Sequence, residues 1–484
     1  MTHGDQEALL RRWAADTWRS LVAMTDGRTA LVADNIDADL RPETCGRYTS
    51  PTNIGGLLWS AICAERLGII GAAERSGLTG LLLATLDGMR RHDPSGMFFN
   101  WYDPADGSVV VTDPDRGTTI HPFLSSVDNG WLMAGLVAVA AHDPAQAALA
   151  HRTLDRMDLT AFHDPAAVPG VTGGLLRGGF WTGRPDDHAI ETVDGAGDPV
   201  FTTAHHYGIL NSEPRIATYL GIALGQLPAE HYFALGRPFP AAGTDGDRGV
   251  PGLVPPVRAE HLGVPVDESA RRYRDLQLLP TFGGSMFEEL MPDLFVPESA
   301  WGPDSWGRNH PLAVRAQREF GLDDTGYGYW GFSPASRPGG GYDAWGAEPI
   351  SAHRGGYPSD LEHTPLAVDG ATSWGDGVVT PHAAFLAVGY ETDAVVDNLA
   401  RIETDLHAYG PGGFHDAVAV RSGLRAERHL SLDQAMIMGA LGNHLADGVL
   451  HELLAPLLEP AVRPLLAQEK FAVGPVLATT GGAR

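Results

Sequence analysis

One stretch of the chain combines the residue types that acid–base chemistry needs. Residues 283–292 read GGSMFEELMP and set Glu288 and Glu289 among large apolar residues. Apolar neighbours disfavour the ionised form of a carboxyl group and raise its pKa, so that it can donate a proton near neutral pH. Aromatic residues that could stack on a sugar follow at Trp301, Trp306 and Trp330. A protonated carboxyl group beside stacking surfaces is what cleavage of a glycosidic bond requires.

The same stretch also has a purely structural interpretation. Ser285 and Glu288 have the spacing of a capping box, in which a serine and a glutamate three residues later satisfy the first amides of a helix. Glu289 would then be a solvated neighbour. Because helix caps are common, this local interpretation is favoured when the stretch is taken alone.

Two further acidic residues have a similar setting. Asp128 follows Ser125 and Asp433 follows Ser431, each in the first turn of a predicted helix. The helix dipole lowers the pKa of a carboxyl group there, which suits a general base and opposes a general acid. Each residue could be a simple helix cap, but three such starts flanked by apolar residues predict a shared cleft. Glu288 has the apolar neighbours that desolvation needs to outweigh the dipole.

Apolar residues recur at helical spacing along most of the chain, between connections rich in Gly and Pro. The predicted helices are 52–70, 78–91, 127–141, 145–157, 213–227, 311–320, 381–388, 392–406, 432–445 and 449–465. Successive helix pairs without a sequence repeat predict an all-α fold, a closed toroid of inner and outer helices. We expect one domain over residues 1–484. Long aromatic-rich loops would lie over its cleft at 161–205, 236–262 and 326–376.

The composition is that of a folded, acidic protein. Apolar residues make up 43% of the chain and charged residues 19%, and the net charge is −26. This charge disfavours nucleic acid and anionic membrane surfaces as partners. No apolar run is long enough to cross a bilayer, and the start of the chain lacks a signal-peptide pattern. With Cys45 and Cys63 as the only cysteines, we expect no disulfide framework and a cytoplasmic location.

Histidines and glycines elsewhere indicate neither a metal nor a nucleotide. His205 and His206 are adjacent, so their side chains diverge, and no third ligand stands at metal-binding spacing. No metal or other cofactor is therefore predicted. Together with His429, these histidines are expected to bond sugar hydroxyls or loop backbone. Residues 339–341 are three glycines, but the lysine and helix of a phosphate-binding loop do not follow them.

An acidic cluster at residues 33–39 (ADNIDAD) precedes the first predicted helix. Asp34 and Asp37 could form a solvated Asx turn or contribute to the site, and both interpretations are open at this stage.

Seven short segments, all in the same order, resemble the glucoamylase-like family. That family includes the endo-β-1,2-glucanases and the hydrolase-like domain of cyclic β-1,2-glucan synthases. The segments are 49–55 (TSPTNIG), 124–130 (LSSVDNG), 211–217 (NSEPRIA), 285–292 (SMFEELMP), 329–333 (YWGFS), 376–381 (DGVVTP) and 432–434 (LDQ). The acidic cluster at 33–39 resembles a segment ahead of the same helix in the synthases. The resemblance therefore covers nearly the whole chain.

The resemblance implies an (α/α)6 toroid and an inverting, endo-acting glycosidase. Glu288 matches the acid-bearing motif, and Asp433 matches the later acidic position that can activate water. Asp34 is the reserve candidate for the base. The residues expected to bind substrate are Asp128, Asp37, Glu213, Arg215, Trp301, Trp306, Trp330 and His429. The sequence departs from the family at Glu289, where an aromatic residue is usual, and after Gln434, where Ala435 and Met436 replace a Gly-Pro pair.

The expected substrate is an oligosaccharide or polysaccharide. The acidic loop around Asp34 is similar to that of intracellular actinobacterial hydrolases of methylated mannose polysaccharide, so such a polymer and a β-1,2-linked glucan are both open. A phosphorylase would need cations around the cleft, for which the candidates are Arg308, His310, Arg354 and Arg425. A non-catalytic sugar-binding protein would leave the acidic helix starts unexplained. The sequence does not indicate an oligomeric state.

Overall fold

The computed structural model describes residues 2–114, 116–186, 188, 190–193, 199–238, 252–353, 355–363 and 374–475. Its α-helices are α1 (His3–Met24), α2 (Pro51–Arg66), α3 (Ala72–Gly88), α4 (Ser126–His142), α5 (Ala147–Leu154), α6 (Arg215–Ala223), α7 (Glu230–Ala234), α8 (Met286–Leu290), α9 (Glu298–Trp301), α10 (Trp306–Glu319), α11 (Pro381–Leu386), α12 (Thr392–Asp405), α13 (Ser431–Leu445) and α14 (Val449–Gln468). Shorter 3-10 turns occur at Pro42–Thr44, Leu159–Phe162, Pro292–Leu294, Glu348–Ile350 and Ala387–Gly389, and a π-helical turn at Phe320–Asp324.

Six of these helices are buried on nearly every side. They are α2, α4, α6, α8, α11 and α13. Burial all round is typical of helices that lie inside a domain rather than on its surface. α2 packs between α4 and α13, α4 also packs on α6, and α11 packs on both α8 and α13. Helices that alternate along the chain are thus neighbours in space.

The helices between them each leave one face exposed. α1 packs on α13, α3 on α2, α5 on α4, α10 on α8 and α12 on α11. Their buried residues recur on one side, as in α10 and α12, while the other side faces solvent. α14 packs on α4, α6 and α13. The prediction of a mostly helical fold built from helix pairs is confirmed.

Short antiparallel strands fill the connections between helices. In chain order they are β1 (Asn35–Asp37), β2 (Phe123–Ser125), β3 (His163–Asp164), β4 (Leu175–Arg177), β5 (Gly179–Trp181), β6 (Ile190–Val193), β7 (Val200–Thr203), β8 (His206–Tyr207), β9 (Val257–His261), β10 (Val264–Glu268), β11 (Arg271–Tyr273), β12 (Leu276–Leu278), β13 (Ala335–Ser336), β14 (Tyr342–Asp343), β15 (Val378–Val379), β16 (Tyr409–Gly410), β17 (Gly413–Phe414), β18 (Ala417–Ala419), β19 (Arg425–Ala426), β20 (Arg428–Leu430) and β21 (Gly474–Pro475). The largest sheet has the order β2-β5-β7-β6, and the others have two or three strands.

One small sheet brings distant parts of the chain together at a helix start. β1 pairs with β20, with Asn35 opposite Leu430. Leu430 is the last residue before α13, so this pairing places the acidic segment 33–39 beside the first turn of α13.

A continuous hydrophobic core holds the helices together, with members from Leu10 to Val473. At its centre the Trp59 ring packs edge-on against Trp131 and Phe295, which are 6.3 and 5.0 Å away between ring centroids. Among the described residues, no helix has the length and apolar character needed to span a membrane.

Candidate active site

Glu288 is presented by the first turn of α8. The chain enters this helix through Gly283 and Gly284, whose φ angles of 82° and 80° favour glycine. Ser285 caps the helix, because its hydroxyl accepts a hydrogen bond from the Glu288 amide at 3.3 Å. The Glu288 carboxylate accepts instead from the Glu213 amide at 2.8 Å. The serine cap is therefore real, but the carboxylate points toward a neighbouring segment.

Burial gives Glu288 the protonation behaviour of a general acid. The residue is only 6% exposed. Desolvation raises its pKa from 4.5 to about 7, against the opposing effect of the hydrogen bond from Glu213. A carboxyl group with this pKa is partly protonated at neutral pH and can donate a proton. Desolvation thus outweighs the helix dipole, as expected from its apolar neighbours.

A second carboxylate, that of Glu213, lies next to Glu288. Glu213 comes two residues before α6 begins, and its side chain accepts a hydrogen bond from Trp131 Nε1 at 3.2 Å. Desolvation and then the charge of Glu288 raise the pKa of Glu213 well above its ordinary value. Two carboxylates this close cannot both ionise without repulsion, so the pair holds a proton near neutral pH and titrates as a unit.

Arg215 fixes the backbone that carries these glutamates. Its Nε and Nη2 donate to the carboxylate of Glu298 at 2.7 and 2.9 Å. Its remaining N–H groups donate to the carbonyls of Ser212, Glu288 and Glu289. All five donors of the guanidinium are thus used within the protein. Arg215 was predicted to bind substrate, but these contacts make it a residue that positions α8 instead.

Glu289 is also buried, so the prediction of a solvated neighbour is wrong. Its carboxylate accepts hydrogen bonds from Asn211 at 2.6 Å, Asn309 at 2.9 Å and His310 Nδ1 at 2.6 Å. The other ring nitrogen of His310 donates to Glu298 at 3.1 Å. Desolvation would lower the pKa of His310, but the hydrogen bonds to both glutamates raise it to about 10. His310 is therefore an imidazolium held between two carboxylates.

A second group of carboxylates forms at the start of α13. The ligating atoms of Asp433, Asp416 and His382 all lie within 4.8 Å of one another, and all three residues are buried. Asp433 Oδ2 is 3.2 Å from His382 Nδ1, without hydrogen-bond geometry. The Ser336 amide donates a hydrogen bond of 2.6 Å to Asp416 Oδ2. We call Asp433, Asp416 and Asp34 the aspartate group.

Burial and mutual repulsion control protonation in the aspartate group. Desolvation, and then the charge of Asp416, raise the pKa of Asp433 well above its ordinary value. Desolvation lowers the pKa of His382 to about 4, so this imidazole is neutral. Within the described part of the chain, Asp433 Oδ2, Asp416 Oδ1 and both His382 nitrogens lack a hydrogen-bond partner. Polar atoms left this way at a buried site are available to water or a ligand.

Asp34 lies in the same place as Asp433. Its carboxylate accepts hydrogen bonds from Asn53 at 3.0 Å and Asn35 at 3.1 Å, and its carbonyl accepts from the Ser431 amide at 2.8 Å. Desolvation raises the pKa of Asp34, and the charge of Asp416 adds to this effect. Both candidates for the base are thus brought together, and the Asx-turn interpretation does not describe Asp34.

Asp128 connects the two groups along the helix starts. Ser125 caps α4 by accepting from the Asp128 amide at 3.2 Å, and the Asp128 carboxylate accepts from the hydroxyl of Thr52, on α2, at 2.6 Å. The charge of Asp128 also contributes to the raised pKa of Glu213. Asp128 thus links the Glu213–Glu288 pair to the start of α2, where Asn53 contacts Asp34, and substrate binding by Asp128 stays a prediction.

Two other predicted residues are held by the surrounding loops. Asp37 accepts hydrogen bonds from the Arg41 amide at 2.9 Å and from Arg41 Nε at 2.5 Å, on the outer side of β1. His429 is buried, and its Nδ1 lies 3.0 Å from the Phe414 carbonyl. His429 therefore bonds loop backbone, one of the two roles expected for it, and His206 contacts Asp164 at 2.9 Å.

The predicted tryptophans are part of the core. Trp301, Trp306 and Trp330 are buried. The Arg215 guanidinium lies 4.6 Å from the centre of the Trp306 ring, and His310 stacks on this ring at 5.1 Å. Protein atoms cover the ring faces that a sugar would need, so these tryptophans lie in the core and not at the candidate site.

Sequence reasoning missed several residues that lie around the two groups. Asp416 and His382 follow no helix-cap pattern: Asp416 lies in a short connection before β18, and His382 is the second residue of α11. Three tyrosines lie within electrostatic reach of the carboxylates: Glu213 and Glu288 raise the pKa values of Tyr207 and Tyr357, after desolvation. Tyr342 responds to both groups. Their positions in loops carry no periodic signal that could have indicated them.

Two groups of described side chains have ligand atoms close enough together to hold a metal ion. His382, Asp416 and Asp433 form one, and Asp293, Glu298 and His310 form another. In the second, His310 donates both ring protons, so it is not free to act as a ligand. Of the cations considered for a phosphorylase, Arg308 is exposed and Arg425 pairs with Glu427 at 3.0 Å. Arg354 lies outside the described residues.

Comparisons with known sequences support the resemblance to the glucoamylase-like family. Residues 255–456 match the family described as "Putative glucoamylase". The cyclic β-(1,2)-glucan synthase NdvB of Rhizobium meliloti (strain 1021) is 24% identical over 602 residues, which cover 95% of this chain. This chain spans only 18% of the length of that curated relative. The resemblance to the glucoamylase-like family is thereby confirmed.

Solved structures show the same fold. An endo-β-1,2-glucanase from Chitinophaga pinensis, in complex with sophorotriose and glucose, has a TM-score of 0.63 at 16% identity, covering 95% of this chain and 98% of that one. A putative glucoamylase from Bacteroides uniformis ATCC 8492 gives 0.64 at 15% identity, with 96% and 97% covered. The endo-β-1,2-glucanase from Talaromyces funiculosus with sophorose gives 0.64 at 12% identity, with 96% and 90% covered.

Proposed function

We propose that this chain, which resembles the glucoamylase-like family, is an inverting glycoside hydrolase that cleaves an oligosaccharide or polysaccharide. The observation that carries this proposal is the pair of carboxylate groups at the starts of the buried helices. One contains Glu288, with a pKa of about 7. The other contains Asp433, beside Asp416 and Asp34. An acid and a base on separate supports are what hydrolysis of a glycosidic bond requires.

The proposed architecture is one domain, an (α/α)6 toroid. Its inner ring would consist of α2, α4, α6, α8, α11 and α13, which are buried all round and pack as neighbours in chain order. The hydrogen bond from Glu213 to Glu288 joins the segment before α6 to α8 and supports closure of the ring. The polar helix starts would then surround the floor of one cleft, with the loops above it.

Glu288 is the proposed general acid. Its protonated carboxyl group would donate a proton to the glycosidic oxygen as the bond to the leaving sugar breaks. Glu213 shares the proton of the coupled pair, because burial and the charge of Glu288 raise its own pKa well above the ordinary value. Arg215 and Glu298 keep α8 in place, so the proton donor holds one position during the reaction.

Asp433 is the proposed general base, with Asp34 as the alternative. The charge of Asp416 raises the pKa of Asp433, so Asp433 must lose its proton before it can act as the base. The ionised carboxylate would accept a proton from water, and the oxygen would attack the anomeric carbon from the face opposite the leaving group. The unpartnered oxygens of Asp433 and Asp416 support a place for this water.

The proposed substrate is a polymer of neutral sugars, cut internally in the cytoplasm. Two candidates are a β-1,2-linked glucan, on which the similar glucanases act, and a mannose or methylmannose polysaccharide. The net charge of −26 disfavours polyanionic polymers such as nucleic acids. The activity of the synthase is not proposed for this chain, because the chain spans only 18% of the length of the synthase.

To test the proposal, the purified protein is incubated with a panel of β-1,2-glucan, α-glucans and mannans, and the products are identified by their mass. We expect one member to be hydrolysed without added phosphate, and Glu288→Gln and Asp433→Asn to lose this activity. Glu427→Gln is the matched control, because Glu427 is an exposed glutamate paired with Arg425. Product formation only with phosphate would indicate a phosphorylase. Calorimetric binding without any product would indicate a sugar-binding protein, and either result would overturn the proposal.

A further inference from the structure

A small hairpin stands beside the aspartate group. β13 pairs with β14, with Ala335 opposite Asp343 and Ser336 opposite Tyr342. Its turn contains the three glycines 339–341, whose φ angles are 89°, 116° and 92°. These conformations favour glycine, which explains the triple repeat without a phosphate-binding role. The glycines form the tip of a turn that presents the next residue, Tyr342.

The base of the hairpin is anchored to the proposed site. The Ser336 amide donates to Asp416 Oδ2 at 2.6 Å. Tyr342 is directly opposite Ser336 in the ladder, and opposite residues in antiparallel strands have Cβ atoms roughly 5 Å apart. On the outer side, Arg337 pairs with Asp343 at 2.7 Å and donates to the Leu361 carbonyl at 3.2 Å. Tyr342 is therefore held next to the aspartate group by contacts on both strands.

Tyr342 faces both carboxylate groups. After desolvation, the charges of Asp433, Asp416, Glu213 and Asp34 raise its pKa well above the ordinary value. The phenol is therefore neutral and available as a hydrogen-bond donor. The phenol end lies among the carboxylates, whereas 61% of the surface of the residue as a whole is open to solvent. A tyrosine combines an apolar face with a polar end, which suits a ligand that has both.

From this placement we propose that the hairpin of residues 335–343 forms a sugar-binding subsite, in which the Tyr342 ring packs on a sugar of the substrate and its hydroxyl donates to a substrate oxygen. The proposal rests on the proposed hydrolase function. It assigns the stacking surface to an exposed residue, in place of the buried tryptophans. The ligand is a neutral pyranose unit, whose C–H face packs on an aromatic ring while its hydroxyl groups take the hydrogen bonds.

The test compares Tyr342→Ala, Tyr342→Trp and wild type on the panel substrate that wild type hydrolyses fastest. We expect Tyr342→Ala to raise KM about tenfold, because the loss of one aromatic contact weakens binding by about a factor of ten. The value of kcat should change by less than about twofold. Tyr342→Trp retains a stacking face and should keep KM within about threefold of wild type. Because Tyr342 is exposed, thermal unfolding of the variants should match wild type.

Tyr329→Ala is the matched control. Tyr329 is a half-buried loop tyrosine whose hydroxyl donates to Asp405 at 3.2 Å and whose ring lies beneath Arg401, so its loss should leave KM unchanged. An unchanged KM in Tyr342→Ala would overturn the subsite, and so would a fall in kcat with KM unchanged. If wild type hydrolyses no member of the panel, the proposed function fails and the subsite with it. If wild type is active but the KM of Tyr342→Ala is unchanged, the subsite fails and the proposed function stands.

Discussion

Replacing Glu288 by Gln should stabilise the fold above neutral pH and abolish the reaction. The two effects have one origin, the burial that raises the pKa of Glu288 from 4.5 to about 7. Gln has the same shape and can still accept the hydrogen bond from the Glu213 amide. It lacks the ionisation that burial opposes, and it lacks the proton that the reaction needs.

The size of the stability effect follows from the pKa. A carboxyl group with a pKa of about 7 in the folded state and 4.5 in the unfolded state corresponds to about 3 kcal/mol. The folded protein keeps a proton that the unfolded chain releases between these values. This contribution to stability is therefore fully present below pH 4.5 and is lost as the pH rises through about 7. Solvent screening reduces it little, because Glu288 is 6% exposed.

Urea unfolding of wild type and Glu288→Gln at about pH 4 and about pH 8 measures this effect. The variant should gain about 3 kcal/mol relative to wild type between the two conditions. Glu427→Gln should show no such gain. In parallel, hydrolysis by Glu288→Gln should fall by about 10²–10⁴-fold, the contribution of a proton donor.

Two results would contradict this reasoning. A stability difference that does not change with pH would mean that Glu288 ionises normally in the folded protein. Activity within a few-fold of wild type would remove Glu288 from the role of acid. In that case Glu213→Gln becomes the deciding variant, because Glu213 is the other member of the coupled pair.

Three further predictions concern the base, the stereochemistry and the support of α8. Asp433→Asn should reduce hydrolysis by about 10²-fold or more, while Asp128→Asn should mainly raise KM. If Asp433→Asn is active and Asp34→Asn is inactive, Asp34 is the base. Proton NMR in the first minutes of digestion should show the anomer opposite to that of the bond cut, and retention, which needs carboxyl groups roughly 5 Å apart, would refute the inverting mechanism. Arg215→Met removes the guanidinium from the buried Glu298, leaves His310 as its charged partner, and should cost roughly 3–5 kcal/mol in urea unfolding. A loss below about 1 kcal/mol would mean that Arg215 does not hold α8.

The helices were predictable where apolar spacing extends over several turns. The predicted 127–141 corresponds to α4, Ser126–His142, and the predicted 432–445 to α13, Ser431–Leu445. α1 was missed although its signals are ordinary ones: Thr2 and Asp5 form a capping box ahead of buried residues at helical spacing. The strands in the long loops were not predicted, because two to five residues are too few to show an alternation.

The site was predictable in part, for a related reason. Glu288 and Asp433 lie at helix starts, where sequence marks position, and burial then gives the raised pKa values. Asp416 reaches the same place through tertiary contacts of a short connection, which local sequence does not encode. Trp306 was assigned to the cleft on residue type, but an aromatic ring serves a core as well as a sugar, and only the fold distinguishes the two.

The imidazolium between Glu289 and Glu298 restricts how this chain can diverge. If an aromatic side chain replaced Glu289, His310 would lose the shorter of its two carboxylate contacts. If His310 changed first, Glu289 would remain as a buried anion with two amide partners. Each single step leaves the buried charges around His310 unbalanced, so the two positions are expected to be exchanged together. Transplanting either residue alone into a relative should fail, whereas the pair can be transplanted as a unit.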